Sequence, residues 1–259
     1  MMIGVIFVVV TITFFIAHWL PGDPTALWVG SHPTEEQLEV ARKTLGLEKS
    51  LGKQYINYIS NIFHGDLGTS LRTKQPITME LSSRFSATFE LVSVSMLLSV
   101  LIAFPLGLIA ALKNNTSVDF IIRGLGYAGL AIPVFWLGMI LQIVFFAWLG
   151  WFPLQGRFST DIYMNTDLII NTGFILFDTF VSGEWVLFIN AVHYISLPVL
   201  TMSVAVVGIV IRISKSSLMD TMKEPFFTTL LSFGFSPNRA VTSSAYKNTL
   251  VPVSTIVGL

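Results

Sequence analysis

The chain has 259 residues, of which 53% are hydrophobic and only 12% are charged, against roughly 25% charged in an average soluble domain. The formal net charge is zero, so there is no basic excess of the kind that nucleic-acid binding requires. There is no cysteine, which excludes disulfides and thiolate metal sites. The composition predicts an all-α, polytopic membrane protein.

Five apolar runs are predicted to cross a bilayer, which takes about 20 residues in helical form. In chain order they are Met2–Leu20, Phe89–Leu112, Phe120–Leu149, Tyr194–Ile213, and a run that begins near Leu250 and is still apolar at Leu259. The first is too long for a signal-peptide core and has no basic residue before it, so residues 1–20 are interpreted as an uncleaved span. We expect the fifth span to be incomplete and the whole fold to have six.

Two regions between these runs are predicted to lie outside the membrane core. Residues 21–88 are expected to form soluble helices, since Thr34-Glu35-Glu36-Gln37 has the pattern of a capping box. Residues 168–190 are interrupted by Asp178 and Glu184, and a charge near the bilayer centre costs about 2.5–3.5 kcal/mol on insertion scales. That second region is therefore interpreted as an extramembrane or interfacial helix.

A polar stretch, residues 214–248, lies between the fourth and fifth runs and has the local signals of two short helices. Glu224 precedes Pro225, and proline suits the first turn of a helix. Gly234 suits a left-handed helix stop. Ser236-Pro237 has the pattern of an N-cap followed by proline at the first position of a second helix. The first helix has one apolar face, made by Phe226, Phe227, Leu230 and Leu231.

Charge asymmetry predicts the orientation. The short loop 113–119 and the stretch 214–248 with its flank hold six basic residues, namely Lys113, Arg212, Lys215, Lys223, Arg239 and Lys247. Residues 150–193 hold only Arg157 against four acids. The positive-inside rule therefore places residues 214–248 in the cytoplasm. Residues 21–88 also hold basic side chains, but loops longer than about 60 residues translocate largely regardless of charge.

The predicted spans have no ionisable residue near their middle. Ion-coupled transporters usually carry Asp, Glu or His at depth, so the sequence favours an external energy source over an ion-coupled secondary transporter. No Gly-rich loop ends in Gly-Lys-Ser/Thr, which excludes ATP binding by a P-loop. The four histidines are scattered and no polar catalytic cluster accompanies them, which argues against a membrane enzyme. No metal site and no cofactor are predicted.

Four motifs in order carry a family resemblance. They are Leu20-Pro21-Gly22-Asp23-Pro24, then Leu45-Gly46-Leu47 with His64–Arg72, then Ala131–Gly138, and then Leu149-Gly150-Trp151-Phe152-Pro153. With them the chain resembles the membrane-spanning permease subunit of ATP-binding cassette importers for dipeptides, oligopeptides and nickel. It is most similar to the first of the two permeases in such systems. The resemblance implies a type I importer transmembrane domain, with residues 89–259 as the permease core.

The resemblance also implies a function and a set of partners. It implies a transport subunit of the cell membrane, surrounded by lipid, rather than an enzyme. The expected partners are a second, homologous permease, two cytoplasmic ATPases and an extracytoplasmic substrate-binding protein, and no nucleic acid. The expected cargo is di- or oligopeptides, with nickel or another small solute as the alternative. Residues 21–88 would be a platform for the binding protein or, alternatively, a cap over the spans.

Residues 214–248, here called the coupling segment, correspond in this resemblance to the loop that inserts into the ATPase. The residues expected to contact the ATPase are Glu224, Phe226, Phe227, Leu230, Leu231, Gly234 and Phe235, with Phe233 beside the turn. Recognition would place apolar side chains of a helix in a groove. The chain departs from its relatives at Thr228-Thr229-Leu230-Leu231, where small and charged residues are usual.

Three prolines and one glutamine are further candidates. Pro105, Pro133 and Pro198 are possible gating hinges, because proline removes a backbone hydrogen bond and kinks a helix. The alternative is a static kink filled by neighbouring helices. Gln142 is a candidate for the lining of the transport pathway or, equally, for a hydrogen bond between helices.

Overall fold

The computed structural model describes residues 2–19, 24–30, 33–166 and 170–257. Within these ranges the chain is mostly helical and forms no strand, apart from one isolated antiparallel bridge between Thr69 and Pro76. The all-α class is confirmed. Most of the first motif, Leu20–Asp23, lies outside the described residues.

The chain divides into two compact units, residues 1–84 and 85–259. The helices of the first unit are α1 (Met2–Trp19), α2 (Pro24–Val29), α3 (Glu35–Thr44) and α4 (Leu51–Phe63). The predicted capping box is confirmed at the start of α3, where the Gln37 N–H donates to Thr34 Oγ1 (3.3 Å) and the Thr34 N–H donates to Gln37 Oε1 (3.0 Å).

Aromatic packing joins α1 to α4 within the first unit. Phe14 is buried, with its ring centroid 4.0 Å from that of His18 and 5.3 Å from that of Tyr55. Polar contacts flank this cluster, because the hydroxyls of Thr11 and Tyr55 are 2.8 Å apart and His18 Nε2 is 3.1 Å from Gln54 Oε1. The side of α4 that carries Gln54 and Tyr55 therefore packs against α1.

The second unit holds the remaining helices, the first of which begins in the first unit. They are α5 (Ile77–Leu112), α6 (Ser117–Ala131), α7 (Val134–Gln142), a π-helical turn (Ile143–Trp148), α8 (Thr160–Met164), α9 (Ile175–Val181), α10 (Trp185–Thr221), α11 (Pro225–Ser232), α12 (Pro237–Ala240), a second π-helical turn (Val241–Ala245) and α13 (Tyr246–Val257).

Two described helices, α5 and α10, are long and apolar enough to cross a membrane, and α6 with α7 makes a third if that pair is one span bent by 93°. The predicted break before Pro133 is confirmed at this bend. With 36 and 37 residues, α5 and α10 would each be about 54–56 Å long, well beyond the ~30 Å of a hydrocarbon core. They begin at Ile77 and Trp185, ahead of the apolar runs. The count of five spans stays a prediction, since α1 and α13 are shorter.

Small residues let the long helices of the second unit approach closely. On α5 a stripe recurs every four residues and is buried throughout, at Ser95, Ser99, Ala103, Gly107 and Ala111. A Cβ atom on Gly107 would lie 2.5 Å from Ser214 Cβ of α10, and one on Gly208 of α10 would lie 2.3 Å from the Gly126 carbonyl oxygen of α6. Small residues at such positions are typical of helix contacts in membranes.

Candidate functional site

The first residues of the coupling segment, 214–221, are the last turns of α10 and not a loop as predicted, and a turn follows them. The Glu224 N–H donates to the Thr221 carbonyl (3.2 Å), and Glu224 then occupies the N-cap of α11 in an extended conformation. Pro225 follows at the first helical position, as predicted. Proline is suited to this place because its φ is already helical and the missing N–H would have no partner within the helix.

The predicted stop at Gly234 is confirmed, and it has the hydrogen bonds of a Schellman motif. Gly234 lies in the left-handed region with φ of 85°. Its N–H donates to the Leu231 carbonyl (2.9 Å), and the Phe235 N–H donates to the Leu230 carbonyl (3.2 Å). The Leu230 and Leu231 carbonyls near the end of α11 are therefore satisfied within the turn.

The second helix of the segment also starts as predicted. Ser236 caps α12, with its Oγ accepting from the Arg239 N–H (3.4 Å), and Pro237 takes the first position. The π-helical turn Val241–Ala245 connects α12 to α13 without an intervening loop. The segment thus shares its first residues with α10 and its last residues with α13.

One face of α11 packs onto this chain's own helices. Phe227 is only 3% exposed, in an apolar cluster with Ala111 of α5, Leu218 of α10 and Ala240 of α12. Three other predicted anchors, Phe226, Leu230 and Phe235, are half-buried against the same cluster. The Arg239 guanidinium lies 5.3 Å from the centre of the Phe235 ring and covers its outer side.

Other side chains of the segment are exposed. Phe233 is 78% exposed, and Leu231, at the edge of the apolar face, is 39% exposed; Glu224, Thr228 and Thr229 are exposed as well. The predicted contact set therefore divides into side chains that hold the segment to its own spans and side chains free to meet another protein. Contact with an ATPase stays a prediction for both groups.

The three predicted hinge prolines occupy different positions relative to their helices. Pro105 and Pro198 lie inside α5 and α10, which continue through them, whereas Pro133 is the N-cap of α7 at the 93° bend. Pro198 and Gln142 line one cavity of about 330 Å³, and Gln142 Nε2 donates to the Leu154 carbonyl there (3.3 Å). Their roles as gate and pathway lining stay predictions.

Pro198 also borders a second cavity, of about 200 Å³, that contains an ion pair missed by the sequence reasoning. Glu90 is 8% exposed, and its Oε2 accepts from Arg157 Nη2 (2.7 Å) while its Oε1 accepts from the Leu176 N–H (2.7 Å). Arg157 also donates to the Gly173 carbonyl (2.8 Å). One carboxylate thus ties α5 to residues 157–176, although no local signal points to this pairing.

A second missed cluster surrounds Asp119, which is completely buried. Its Oδ1 accepts from Lys215 Nζ (2.6 Å) and Arg123 Nε (3.0 Å), and its Oδ2 accepts from the Asn115 N–H (3.0 Å). The spacing of four between Asp119 and Arg123 is a visible helical signal. The contact with Lys215 joins α6 to α10 across 96 positions and has no such signal.

Within the described ranges, no three His, Cys, Asp or Glu side chains lie close enough together to hold a metal ion. The polar groups brought together are instead the two ion-pair clusters and the hydroxyls between α5 and α10. Ser203 Oγ donates to the Ser95 carbonyl (3.0 Å), and Ser99 Oγ donates to the Ser203 carbonyl (3.4 Å).

Comparison with known proteins gives two family matches. A family described as "Binding-protein-dependent transport system inner membrane component" matches residues 103–259, and one described as "Binding-prot-dependent transport system membrane comp, N-term" matches residues 1–92. Together they match all of the chain except residues 93–102.

Similar curated proteins cover almost the whole chain. The "Probable D,D-dipeptide transport system permease protein DdpB" of Escherichia coli strain K12 is 36% identical over 97% of this chain and 73% of the relative. The "Di/tripeptide transport system permease protein DppB" of Pseudomonas aeruginosa is 34% identical over 100% and 76%. The "Glutathione transport system permease protein GsiC" of Pectobacterium atrosepticum is 33% identical over 100% and 74%.

Proposed function

The chain belongs to the family of binding-protein-dependent transport system inner membrane components, and on this premise we propose that it is the permease of an ATP-driven importer whose cargo is short peptides. As a member it is a membrane-bound transport component rather than an enzyme, and it works with a binding protein, an ATPase and permease partners. The observation that supports this cargo is that relatives covering at least 97% of the chain are named for dipeptides, di/tripeptides and the peptide glutathione.

The proposed assembly has one second, homologous permease, two cytoplasmic ATPases and one extracytoplasmic binding protein. The coupling segment would lie in the cytoplasm, as the positive-inside rule indicates. Phe233 and Leu231 offer the exposed apolar side chains that helix-in-groove recognition uses. Residues 21–88 would face outward and receive the binding protein.

The proposed mechanism follows from how the coupling segment is attached. Phe227 fixes α11 to both α5 and α10, so a displacement of α11 by the ATPases acts on the ends of both helices. ATP-driven closure would draw the coupling segments of the two permeases together and open the spans outward for cargo. Hydrolysis would reset them, with Pro133 and Pro198 as candidate hinges and Gln142 beside the path.

The test is uptake by the complete transporter in proteoliposomes with its binding protein. Labelled di- and tripeptides should accumulate with ATP, and a protonophore should leave this uptake intact. Uptake that survives ATP removal but stops with the protonophore would contradict the proposal that transport is driven by ATP. ATP-dependent uptake of nickel without peptide uptake would contradict the cargo alone.

The exposed side of α11 is tested separately. The double substitution L231D/F233D should release the ATPases during purification, because it removes both exposed apolar anchors, while the permease itself stays folded. The matched control is T228D/T229D on the same exposed helix, where no apolar anchor is lost. ATPases retained equally by both variants would place the docking surface elsewhere.

A further inference from the structure

A cavity of about 190 Å³ lies between α6 and the C-terminal part of α10. Three of its lining side chains are cationic, Arg123, Arg212 and Lys215. Its apolar and aromatic walls include Tyr127, Ile211 and Met219. The transport mechanism above uses none of these residues.

The positive charge of this cavity is only partly neutralised. Asp119 is the one carboxylate of the described residues that pairs with its cations, and both of its oxygens are occupied by Lys215, Arg123 and the Asn115 N–H. Within the described part of the chain, the terminal nitrogens of Arg123 and the whole Arg212 guanidinium have no acceptor. Three cations against one carboxylate leave an excess of two positive charges.

The surroundings combine this charge with apolar surface. Tyr127 of α6, which lines the cavity, is itself 54% exposed and so offers aromatic surface beside the cations. Guanidinium groups bind phosphate oxygens through paired N–H donors. Basic pockets between membrane helices are suited to anionic lipid headgroups, whose acyl chains need a neighbouring apolar surface.

We propose that this cavity binds the phosphate headgroup of an anionic phospholipid. Arg212 and the free end of Arg123 contact the phosphate, and Asp119 holds Lys215 and Arg123 in place beneath it. The acyl chains lie along Tyr127 of α6. Because Arg212 is ten residues before the C-cap of α10, a bound lipid stabilises the helix end that carries the coupling segment. The proposal does not depend on which solute is transported.

The test measures lipid binding to the complete purified transporter by native mass spectrometry. Dioleoyl phosphatidylglycerol, dioleoyl phosphatidylcholine and inorganic phosphate are each titrated. Phosphatidylglycerol should bind more tightly than phosphatidylcholine, and inorganic phosphate should not displace it. Arg212→Gln should weaken phosphatidylglycerol binding about fivefold, the factor given by about 1 kcal/mol per basic residue, and R123Q/R212Q about 25-fold.

Lys113→Gln is the control, because it removes one exposed positive charge from the adjacent loop without touching the cavity lining. The difference between Arg212→Gln and this control separates the cavity from other lipid contacts. Equal losses in the two variants would overturn the proposal, and so would equal binding of the two lipids. If inorganic phosphate displaces the lipid, the site binds a free anion. If the Arg212→Gln transporter no longer retains the second permease, Arg212 contacts that protein. Each of these two outcomes also overturns lipid binding.

Discussion

The two ends of α5 are held by different forces. In its first half, Glu90 pairs with Arg157 and accepts from the Leu176 N–H of α9, so the contact is ionic and directional. Near its C-terminal end, Ala111 lies in an apolar cluster with Leu218 of α10 and Phe227 of α11. The ionic end therefore depends on a single carboxylate, and the apolar end depends on several side chains packed together.

The difference indicates which contact can break during transport and which helices should move together. A directional pair is lost as a whole when one partner moves away, since a buried charge without its partner is unfavourable. The free energy of apolar packing depends on the area removed from water and is not directional, so it does not require one exact contact geometry. We expect the coupling segment to follow α10 closely, while the Glu90–Arg157 contact is the one that separates during transport.

The largest expected effect tests the apolar end. Phe227→Ala should lower the free energy of unfolding by about 3 kcal/mol, because it leaves a cavity in a packed cluster. Phe233→Ala removes the same ring from a position that is 78% exposed, so its effect on stability should stay within about 0.5 kcal/mol. Denaturant unfolding of the purified protein in detergent measures both. Equal losses would mean that Phe227 does not hold the segment to its own spans.

A smaller effect is expected at the ionic end. Glu90→Gln should lower the free energy of unfolding by about 2 kcal/mol, less than the 3–5 kcal/mol of a fully buried pair because the Arg157 side chain is 32% exposed. Gln keeps an acceptor for the Leu176 N–H, so the variant isolates the charge. Lys223→Gln breaks the exposed pair with Asp220 and should change stability by less than about 1 kcal/mol. The same unfolding assay applies, and a Glu90→Gln loss no larger than that of Lys223→Gln would remove the distinction between the two ends.

Local sequence signals predicted the parts of the site that depend on neighbouring residues. The capping box at Thr34, the bend before Pro133, the start of α11 at Pro225 and its stop at Gly234 are all confirmed. Each depends on the conformational limits of one residue and on hydrogen bonds within a few positions. The start and the stop of α11 could therefore be predicted from sequence alone.

Contacts between distant residues could not be predicted in this way. The apolar face of α11 was visible, but the sequence does not say whether Phe227 meets an ATPase or the chain's own Leu218. The pairs Glu90–Arg157 and Asp119–Lys215 join positions 67 and 96 residues apart, and periodicity has no information at that range. The sequence placed the start of this span at Phe89, whereas α5 begins at Ile77. The first turns of α5 are polar, and hydropathy detects an apolar run and not the helix that contains it.

The smallest effect concerns the turn that joins α11 to α12. Gly234→Ala should lower the free energy of unfolding by about 1 kcal/mol, since an L-residue in the left-handed region costs roughly 1–2 kcal/mol. A Cβ there meets nothing within 4 Å, so the cost comes from the backbone and not from a clash. Gly124→Ala is the control, because Gly124 is a glycine within α6 whose Cβ would also meet nothing within 4 Å, and alanine favours a helix by up to about 1 kcal/mol. Opposite signs in the unfolding assay would show that the φ of 85° at Gly234 fixes the direction of the chain after α11. A loss of ATPase binding in Gly234→Ala alone would then follow from a misdirected Phe235 and α12, even with the Phe227 cluster intact.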